Sequence, residues 1–372
     1  MARILIDGRW IKDSGIGRYV ENLTTEVICQ DKKNTYIILV KKGESGCLSV
    51  QDNRVEYVET DIGWYTPQEQ IALPKLLEAQ NPDLVHFTNF NIPLSYHKPF
   101  VVTIHDLTLL RYKSIKGGLL APFTYHLKDV VMRHILKTAV KRSRRIFTPS
   151  QFVKEDVVGR YHCDPQKIII TNNAADKHIA NGRINLNQYG ITQPFILCVG
   201  NPYPHKNLDR LQKAFAQLTQ NKDFNCQLVI VGRDNEFMDR QKKLTKKLKL
   251  ENRIKYTGYI NDVELAGIYK KALLYVFPSL SEGFGIPGLE AMSYGVPVAS
   301  SNATCLPEIF GKGAAYFDPK NIDMMARVIG DLALDDTRRK KLVQLGYGQV
   351  QKYSWAKSAR ELVRGYNKAL KS

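Results

Sequence analysis

The chain has 372 residues, 44% of them hydrophobic and 24% charged, a composition that is typical of folded globular domains and excludes long disordered regions. One core rarely grows to this size, so the length favours about two domains. Lys and Arg number 54 against 36 Asp and Glu, which gives a net charge of +18. Such an excess favours polyanionic partners: nucleic acid, an anionic membrane face or phosphorylated substrates.

The sequence also argues against export, membrane insertion and structural zinc. Arg3 and Asp7 interrupt the first apolar run, unlike a secretory signal, and no run approaches the ~18 residues that cross a bilayer. The six cysteines are scattered, without a close pair that would suggest zinc or a redox couple. We therefore expect a protein of the reducing cytoplasm.

Strand and helix signals alternate along the first half of the chain. Short β-branched runs occupy residues 2–7, 35–40, 54–59, 83–87, 100–106, 145–150 and 167–172. Amphipathic helical patterns lie between several of them, for example at 16–28 and 67–80. This alternation predicts βαβ units around a parallel sheet.

The pattern restarts after a polar stretch at residues 178–193. New β-rich runs occupy residues 195–200, 227–232, 253–258, 273–279 and 297–300, again with helices between them. We predict an α/β protein of two doubly wound, Rossmann-like domains, 1–178 and 194–350, facing each other across a cleft. Residues 351–372 read as a helix that returns to the first domain. Ligands of such sheets bind at the carboxyl ends of the strands, so we expect the site in the cleft.

Basic residues are concentrated in two segments, 126–145 and 239–255. The first has apolar residues at helical spacing, which predicts one buried stripe and one basic face: Phe123, Leu127, Val130, Val131, Ile135 and Val140. Such a stripe is usually core, but a basic amphipathic helix also suits an anionic membrane, and both readings stay open. No recognised nucleic-acid module is present, so we expect no nucleic-acid partner.

Residues 280–297 place two glutamates around a turn rich in glycine. Glu282 falls in a loop after a strand, and Glu290 falls in or just after the first turn of a helix that begins near Pro287. The N-terminus of that helix offers free N–H groups to an anion, and the carboxylates suit sugar hydroxyls. In the alternative reading Glu290 only complements the helix dipole, worth about 0.3–1 kcal/mol.

The spacing EGFGIPGLE, followed by A-M-x-x-G-x-P-V, closely resembles the E-x7-E motif of retaining glycosyltransferases of the GT-B fold, family four. The resemblance extends over nearly the whole chain: the matching segments are residues 15–19, 103–106, 199–207, 257–279 and 301–319. It implies that the two predicted domains form a GT-B fold, with the acceptor on the first domain and a nucleotide-sugar donor on the second.

Individual roles follow from the same resemblance. Glu290 is similar to the glutamate that binds the nucleotide ribose, Glu282 to the one beside the reacting carbon of the donor sugar, and Lys206 to the lysine that neutralises the diphosphate. Together with His105, which the resemblance places against the donor sugar, Lys206 and Glu282 form the implied catalytic set. The other implied donor-binding positions are Gly15, Gly17, Asn201, His205, Tyr259, Ile260, Gly283, Phe284, Gly285, Ile286 and Leu289; Arg18 and Asp106 are the acceptor-binding positions.

One departure qualifies this assignment. Relatives often have arginine directly after the glycine of the 199–207 loop, where this chain has Asn201. We expect His205 or Arg210 to assist Lys206, and the sequence leaves open which. The glycine pattern at Gly15 lacks a third small residue at Val20, so a nicotinamide site is poorly supported. The chain has no Asp-x-Asp, which predicts a site without metal, and we also expect no other cofactor.

The predicted function is retaining transfer of a hexose, with mannose from GDP-mannose favoured, to a glycan or lipid-linked acceptor in polysaccharide assembly. We expect the enzyme in the cytoplasm or peripherally on the inner membrane face, and the sequence does not give its oligomeric state. A UDP-sugar donor is the first alternative. An epimerase or hydrolase of the same fold, or a non-catalytic nucleotide-sugar binding protein, is the other.

Overall fold

In a computed structural model, the structure describes residues 1–12, 15–48, 50–112, 121–175, 182–192 and 194–371, with backbone alone for 121–125. These residues divide into two compact units. The first unit contains Met1–Leu110, the described residues from 121 to Asn173, and the C-terminal stretch from Ser354; the second contains Arg111, Tyr112 and the described residues from Ala174 to Tyr353. Of the predicted linker at 178–193, residues 178–181 and 193 lie outside the described part.

The first unit is built on a sheet of seven parallel strands in its described part, in the order β3-β2-β1-β4-β5-β6-β7. The strands are β1 (Arg3–Asp7), β2 (Thr35–Lys41), β3 (Val55–Thr60), β4 (Leu84–Phe87), β5 (Phe100–Thr103), β6 (Ile146–Thr148) and β7 (Ile168–Ile170). Strands β4, β5 and β6 are buried throughout, and β1 and β2 are buried except at their ends, which explains why these strands read as continuous apolar runs and not as alternating ones.

Helices cover the sheet of the first unit. Numbered along the whole chain, they are α1 (Ile16–Gln30), α2 (Pro67–Ala79), α3 (Thr108–Arg111), α4 (Ala121–Arg142), α5 (Gln151–Tyr161) and the C-terminal α13 (Trp355–Lys371). Helix α2 starts where Thr66 accepts the Glu69 N–H at 3.2 Å and Pro67 takes the first turn. Helix α13 packs on α1. It also approaches β6 closely at Gly365, since a Cβ there would lie 2.4 Å from Phe147.

The second unit is built on a sheet of six parallel strands in its described part, in the order β10-β9-β8-β11-β12-β13. The strands are β8 (Phe195–Val199), β9 (Gln227–Val231), β10 (Ile254–Gly258), β11 (Leu274–Phe277), β12 (Val298–Ser301) and β13 (Ala314–Phe317). The helices are α6 (Leu208–Leu218), α7 (Glu236–Lys247), α8 (Asp262–Lys271), α9 (Ile286–Ser293), α10 (Leu306–Phe310), α11 (Ile322–Leu334) and α12 (Asp336–Val350).

The predicted alternation of strands and helices is confirmed in both units. All of the predicted strands are present in the described residues, and the one strand that we did not predict there is β13. In each sheet the strand order reverses beside the first strand, between β1 and β4 and between β8 and β11. Such a reversal opens a crevice at the carboxyl ends of the strands, which is where doubly wound sheets bind ligands.

The prediction of one buried stripe along α4 is wrong for part of that helix. Ile135 and Val140 are buried as expected, but Leu127, Val130 and Val131 are 61%, 51% and 48% exposed. Among the described residues, the core of the first unit takes in α4 from Ile135 onward, with Met132 at its margin, and does not include Leu127, Val130 or Val131. The side chain of Phe123 lies outside the described part of the chain.

Candidate active site

In the second unit, adjacent strand ends bring Lys206 and Glu282 together. Lys206 follows β8 in a short 3₁₀ turn, and Glu282 follows the neighbouring strand β11. Lys206 Nζ lies 2.7 Å from Glu282 Oε1, with side chains only 22% and 14% exposed. The N–H of Leu280 donates to the carbonyl of His205 at 2.7 Å, so the two loops are joined by backbone as well. The pair therefore forms a partly shielded, fixed cluster of opposite charges.

Neighbouring groups hold Glu282 from several sides. Ser279 Oγ donates to Oε1 at 2.7 Å, the Glu282 N–H donates to Thr304 Oγ1 at 3.1 Å, and Cys305 Sγ donates to the Glu282 carbonyl at 3.3 Å. Burial acts to raise the pKa of Glu282, but Lys206, assisted by His205 and Ser279, holds that pKa below its ordinary value. Glu282 is therefore an ionised acceptor of hydrogen bonds at neutral pH.

The loops after β8 and β9 touch through two glycines. A Cβ at Gly232 would lie 2.4 Å from the carbonyl oxygen of Gly200, so only glycine fits there. Asn201 Oδ1 accepts the backbone N–H of Arg233 at 3.3 Å, and the Arg233 guanidinium lies 5.3 Å from the ring centre of the exposed Tyr259. An arginine thus stands beside Asn201, on the neighbouring loop.

The two basic residues proposed to assist Lys206 have different surroundings. Arg210 donates to Asn207 Oδ1 at 3.0 Å, while Asn207 Nδ2 donates to the carbonyls of Pro278 and Pro319. Arg210 therefore supports the buried Asn207 that joins these loops. The ring of His205 stacks on Tyr203 at 6.0 Å, and its charge acts on Glu282. Of the two, His205 is the one whose charge reaches the Lys206–Glu282 cluster.

Helix α9 starts immediately after the Glu282 loop. Gly285 precedes it with a φ of 104°, a left-handed conformation that favours glycine, and Pro287 occupies the first turn. Phe284 is buried edge-on against Tyr353, with ring centres 5.3 Å apart. Leu289 is fully buried, so its side chain supports the helix from inside. The backbone from Gly283 to Ile286 is what this turn can offer to a ligand.

Glu290 lies inside α9, as the fifth of its eight residues, and it is buried. The hydroxyl of Tyr269 is 3.2 Å from both Glu290 Oε2 and the carbonyl of Pro287, and the Tyr269 ring stacks on Tyr294 at 5.5 Å. Because the helix dipole acts mainly within the first turn, dipole complementation alone does not explain this buried carboxylate. Ile260, on the loop after β10, is also buried.

In the first unit, His105 follows β5 and is partly exposed. Its Nε2 lies 2.9 Å from the carbonyl oxygen of Thr88, so Nε2 carries the hydrogen and donates. The ring of Tyr19 packs edge-on against it at 4.7 Å. Burial lowers the pKa of His105, although Thr88 and Asp106 oppose the shift. The neutral ring therefore presents Nδ1 as a hydrogen-bond acceptor.

The nearby glycine turn and Asp106 have structural partners. Gly15, with a φ of 81°, precedes α1, and a Cβ at Gly17 would lie 2.4 Å from the carbonyl oxygen of Ile11. Arg18 lies in the first turn of α1 and is partly exposed. Asp106 Oδ1 accepts the Thr108 N–H at 2.7 Å, at the start of α3.

A second histidine, His86, belongs to the core. Its Nδ1 is 2.7 Å from the hydroxyl of Tyr366 on α13, and its Nε2 is 2.8 Å from Thr103 Oγ1. Tyr19 shares that same Thr103 hydroxyl at 2.8 Å. Burial, and then the neighbouring His105, lower the pKa of His86 to about 3. Both ring nitrogens have protein partners, so His86 is a structural residue.

Comparisons with known proteins agree with this geometry. Residues 14–178 match the model described as Glycosyltransferase Family 4, and residues 184–349 match the model described as Glycosyl transferases group 1. The two models together span nearly all of both units. The chain belongs to the family-4 glycosyltransferases.

The glycosyltransferase has curated relatives in bacteria. It is 28% identical over 291 residues to the O-antigen chain mannosyltransferase B of Escherichia coli, covering 76% of this chain and 74% of that one. It is 29% identical over 259 residues to the O-antigen chain mannosyltransferase RfbU of Salmonella typhimurium, covering 69% and 66%. Among solved structures, a sucrose-phosphate synthase from Thermosynechococcus elongatus superposes with a TM-score of 0.77 at 20% identity, covering 99% and 98%. That similarity shows the GT-B fold.

The structure thus groups the predicted residues of the glycosyltransferase within each unit. In the second unit Lys206, His205 and Glu282 lie together, with Glu290 further along α9. In the described residues no cluster of His, Cys, Asp or Glu could hold a metal ion, and no helix is long and apolar enough to cross a membrane. Sequence reasoning missed Arg233; a glycine followed by arginine at the end of β9, beside the predicted β8 loop, was the available signal.

Proposed function

We propose that this glycosyltransferase transfers mannose from GDP-mannose to a glycan or lipid-linked acceptor, with retention of configuration and without a metal ion. The observation that carries the proposal is the cluster of Lys206, Glu282 and Ser279 next to the glycine turn that begins α9. The curated relatives named as mannosyltransferases support the choice of sugar.

The donor roles follow from charge and geometry. Lys206 suits the diphosphate, where a fixed cation stabilises the negative charge of the leaving group. Because Lys206 pairs with Glu282 when no donor is present, the diphosphate would draw Lys206 away and free a Glu282 oxygen for a sugar hydroxyl. Glu290, buried and oriented by Tyr269, suits the ribose hydroxyls. Arg233 would supply the second positive charge for the diphosphate, in place of the arginine that relatives often have at the position of Asn201.

The reaction needs no side-chain nucleophile. The bond between the anomeric carbon and the phosphate oxygen breaks, and the departing phosphate takes the proton of the acceptor hydroxyl. That hydroxyl oxygen then bonds the anomeric carbon from the same face, which retains configuration. The neutral His105 accepts a hydroxyl hydrogen of the sugar through Nδ1, and electrostatic stabilisation supplies most of the rate.

Product analysis distinguishes this reaction from its alternatives. GDP-mannose, UDP-glucose and UDP-GlcNAc are incubated with and without candidate glycans, in the presence of EDTA. Acceptor-dependent transfer from GDP-mannose that persists in EDTA supports the proposal. Preference for a UDP-sugar overturns the donor assignment, and donor turnover without acceptor favours an epimerase or hydrolase. Loss of activity that manganese restores contradicts a metal-independent mechanism.

The ribose role of Glu290 leads to a direct test. Replacing Glu290 by Ala removes its hydrogen bonds in a buried site, so we expect GDP-mannose binding to weaken by roughly 1–3 kcal/mol. Isothermal calorimetry with GDP and GDP-mannose measures the loss. Glu251→Ala, which removes an exposed carboxylate from the same unit, should leave both affinities unchanged. Unchanged binding in Glu290→Ala would exclude the ribose role.

We further propose that the enzyme contacts an anionic membrane through the first half of α4. This part of α4 exposes Leu127, Val130 and Val131 together with Lys128, and the exposed Lys137 follows in the second half of the helix. Exposed apolar side chains beside lysines suit the boundary between headgroups and acyl chains. A lipid-linked acceptor would then be bound where it resides.

A further inference from the structure

Tyr65 is an exposed aromatic residue in an unfavourable backbone conformation. It lies between β3 and α2, its side chain is 56% exposed and its φ is 57°. The left-handed region costs an ordinary residue roughly 1–2 kcal/mol, and an exposed ring gains nothing from burial. Neither feature stabilises the fold, and strain of this kind is concentrated at functional sites.

A buried network of charges holds the backbone of Tyr65. The Tyr65 N–H donates to Glu69 Oε2 at 2.8 Å, and Glu69 Oε1 accepts from the Arg9 guanidinium at 2.8 Å. Arg9 in turn makes two hydrogen bonds to Asp7, of 2.8 and 2.7 Å, and all three charged side chains are buried. Buried ion pairs add little net stability. Here they fix the Tyr65 loop to the end of β1 and to α2.

Aromatic neighbours support the Tyr65 ring from one side. Trp10 meets it edge-on with ring centres 6.0 Å apart, and Trp10 itself stacks on Trp64 at 4.3 Å. Lys41 Nζ lies 3.4 Å from the ring centre of Trp64 and covers its other face. The stack of Lys41, Trp64 and Trp10 therefore ends at Tyr65, which is the exposed ring of the group.

The aromatic stack that ends at Tyr65 lies at the carboxyl edge of the sheet, beside the polar residues that follow β4 and β5. Asn89 and Asp106 both interact electrostatically with the Tyr65 hydroxyl. Asp106 directly follows His105, the residue proposed to contact the transferred sugar. Amide and carboxylate groups beside an exposed ring are suited to a ligand with one apolar face and a rim of hydroxyls.

The charges around Tyr65 favour a neutral ligand over an anionic one. Arg9 is buried between two carboxylates, and Lys41 is engaged by Trp64. Burial raises the pKa of the Tyr65 hydroxyl, and the negative charges of Glu69 and Asp106 raise it further. A phosphate would be repelled there, whereas a sugar hydroxyl could donate to Asp106.

We propose that Tyr65, with Asn89 and Asp106, forms an acceptor subsite that binds a neutral pyranose ring of the acceptor glycan. The proposal rests on the transferase function given above, and it adds the chemical class of the acceptor. The sugar stacks its C–H face on the Tyr65 ring, and its hydroxyls bond to the amide and the carboxylate. A phosphate-linked part of an acceptor would lie elsewhere.

Saccharide binding without donor tests the subsite independently of transfer. Mannotriose is titrated into the full-length protein and followed by tryptophan fluorescence and by saturation-transfer NMR, since Trp10 contacts Tyr65 directly. We expect saturable binding to the wild type, at least tenfold weaker in Tyr65→Gly and Tyr65→Ala and largely retained in Tyr65→Trp. If the wild type bound mannotriose but did not transfer mannose from GDP-mannose, the proposed function would be rejected and the subsite would remain supported.

The glycine variant is the control for a loss of folding. Since glycine adopts a positive φ freely, Tyr65→Gly should melt at the same temperature as the wild type or higher, while losing saccharide binding. Ile71→Ala removes an exposed apolar side chain from α2 and should change neither property. Equal mannotriose binding by wild type and Tyr65→Gly, or no binding by either, overturns the proposal. Binding of decyl phosphate that depends on Tyr65 would overturn it as well.

Discussion

Lys206 and Glu282 show how single residues of this glycosyltransferase are prepared for a ligand. Each is the ion-pair partner of the other, and Glu282 precedes the turn that begins α9, where the diphosphate and sugar are proposed to bind. Ser279 and Thr304 fix Glu282, so little reorganisation would remain for Glu282 in the proposed movement of Lys206 to the diphosphate. Preorganised charges of this kind act in the transition state without a further cost of ordering.

The ion pair should have a measurable signature in stability. Lys206→Met leaves Glu282 ionised and shielded without its cation, so we expect a loss of about 1–3 kcal/mol at neutral pH, below the ~3–5 kcal/mol of a fully buried pair. In the wild type the lowered pKa of Glu282 contributes stability that is present above its ordinary value of 4.5 and is lost as pH falls through the native pKa. The difference between wild type and variant should therefore shrink below that pH.

Urea unfolding between pH 4 and 8 measures this difference. Lys242→Met is the matched control, because Lys242 forms a 2.7 Å pair with Asp234 in which both side chains are largely exposed. Exposed pairs are worth about 0–1 kcal/mol, so the control should lose little at any pH. A Lys206→Met effect that is the same at pH 4 and pH 8 would contradict the coupling to Glu282.

The residues that could be predicted from sequence are those inside a local motif. Glu282, Gly285 and Glu290 lie within nine consecutive residues that form one turn and the start of one helix, so their spacing alone predicts where they lie. Arg233 and Tyr65 belong to no such segment. Gly232 and Arg233 form a short local pattern at the end of β9, but strand order decides that Arg233 lies beside Asn201. The backbone of Tyr65 is held by Glu69, which is fixed in turn by Arg9 from the end of β1, and no local pattern records that network.

The position of helix α9 depends on close packing against α10. Gly288 faces Phe310, and a Cβ added there would lie 2.2 Å from the phenyl Cζ. We expect Gly288→Ala to destabilise the protein by about 1–3 kcal/mol through overpacking, which outweighs the better helix propensity of alanine. The displaced helix would also move Glu290, so affinity for GDP should fall.

Gly348→Ala in α12 is the matched control for this substitution. Nothing lies within 4 Å of a Cβ at Gly348, so alanine should stabilise the protein by up to about 1 kcal/mol there. Urea unfolding and calorimetry with GDP compare the two variants. If Gly288→Ala were as stable as the wild type and bound GDP normally, the tight seat of α9 would play no part in donor binding.

Helix α4 gives the membrane proposal its test. Replacing Leu127, Val130 and Val131 by Gln keeps the helix polar and removes the exposed apolar surface. We expect sedimentation with phosphatidylglycerol vesicles to fall at least tenfold, and wild-type binding to weaken when NaCl rises from about 0.1 to 0.5 M. Ile71→Gln, at an equally exposed position on α2, should bind as the wild type does. Equal vesicle binding by the triple variant would exclude this face.

Helices and strands could be predicted from the sequence where their buried residues form a regular pattern of apolar residues along the chain. Continuous apolar runs such as those of β5 and β9 predicted parallel strands because these strands are buried on both faces. Strand β13 was missed because its four residues, AAYF, include two alanines and directly follow a short 3₁₀ turn. The stripe of α4 was misjudged because periodicity predicts an apolar face and not whether another element covers it.

At the scale of the whole molecule, the first unit is completed by the last residues of the chain. Helix α13 buries Trp355, Leu362 and Tyr366, and Arg144 donates to the carbonyl of Ala369 at 2.8 Å. The Tyr366 hydroxyl reaches His86, whose other nitrogen shares Thr103 with Tyr19. Since Tyr19 packs on His105, the C-terminal helix supports the residue proposed to contact the sugar.

Removing α13 should therefore disrupt the first unit selectively. A chain ending at Tyr353 exposes the apolar surface of α1 and leaves His86 without its Tyr366 partner, so we expect hydrogen exchange to rise sharply in α1, β4 and β5. Exchange in β8, β9 and β11 of the second unit should change far less, and GDP binding should persist. Tyr366→Phe, which removes only a hydroxyl, should cost about 1 kcal/mol and leave exchange in α1 nearly unchanged. A uniform rise across both sheets, or loss of GDP binding in the truncated chain, would contradict the assignment of α13 to the first unit alone.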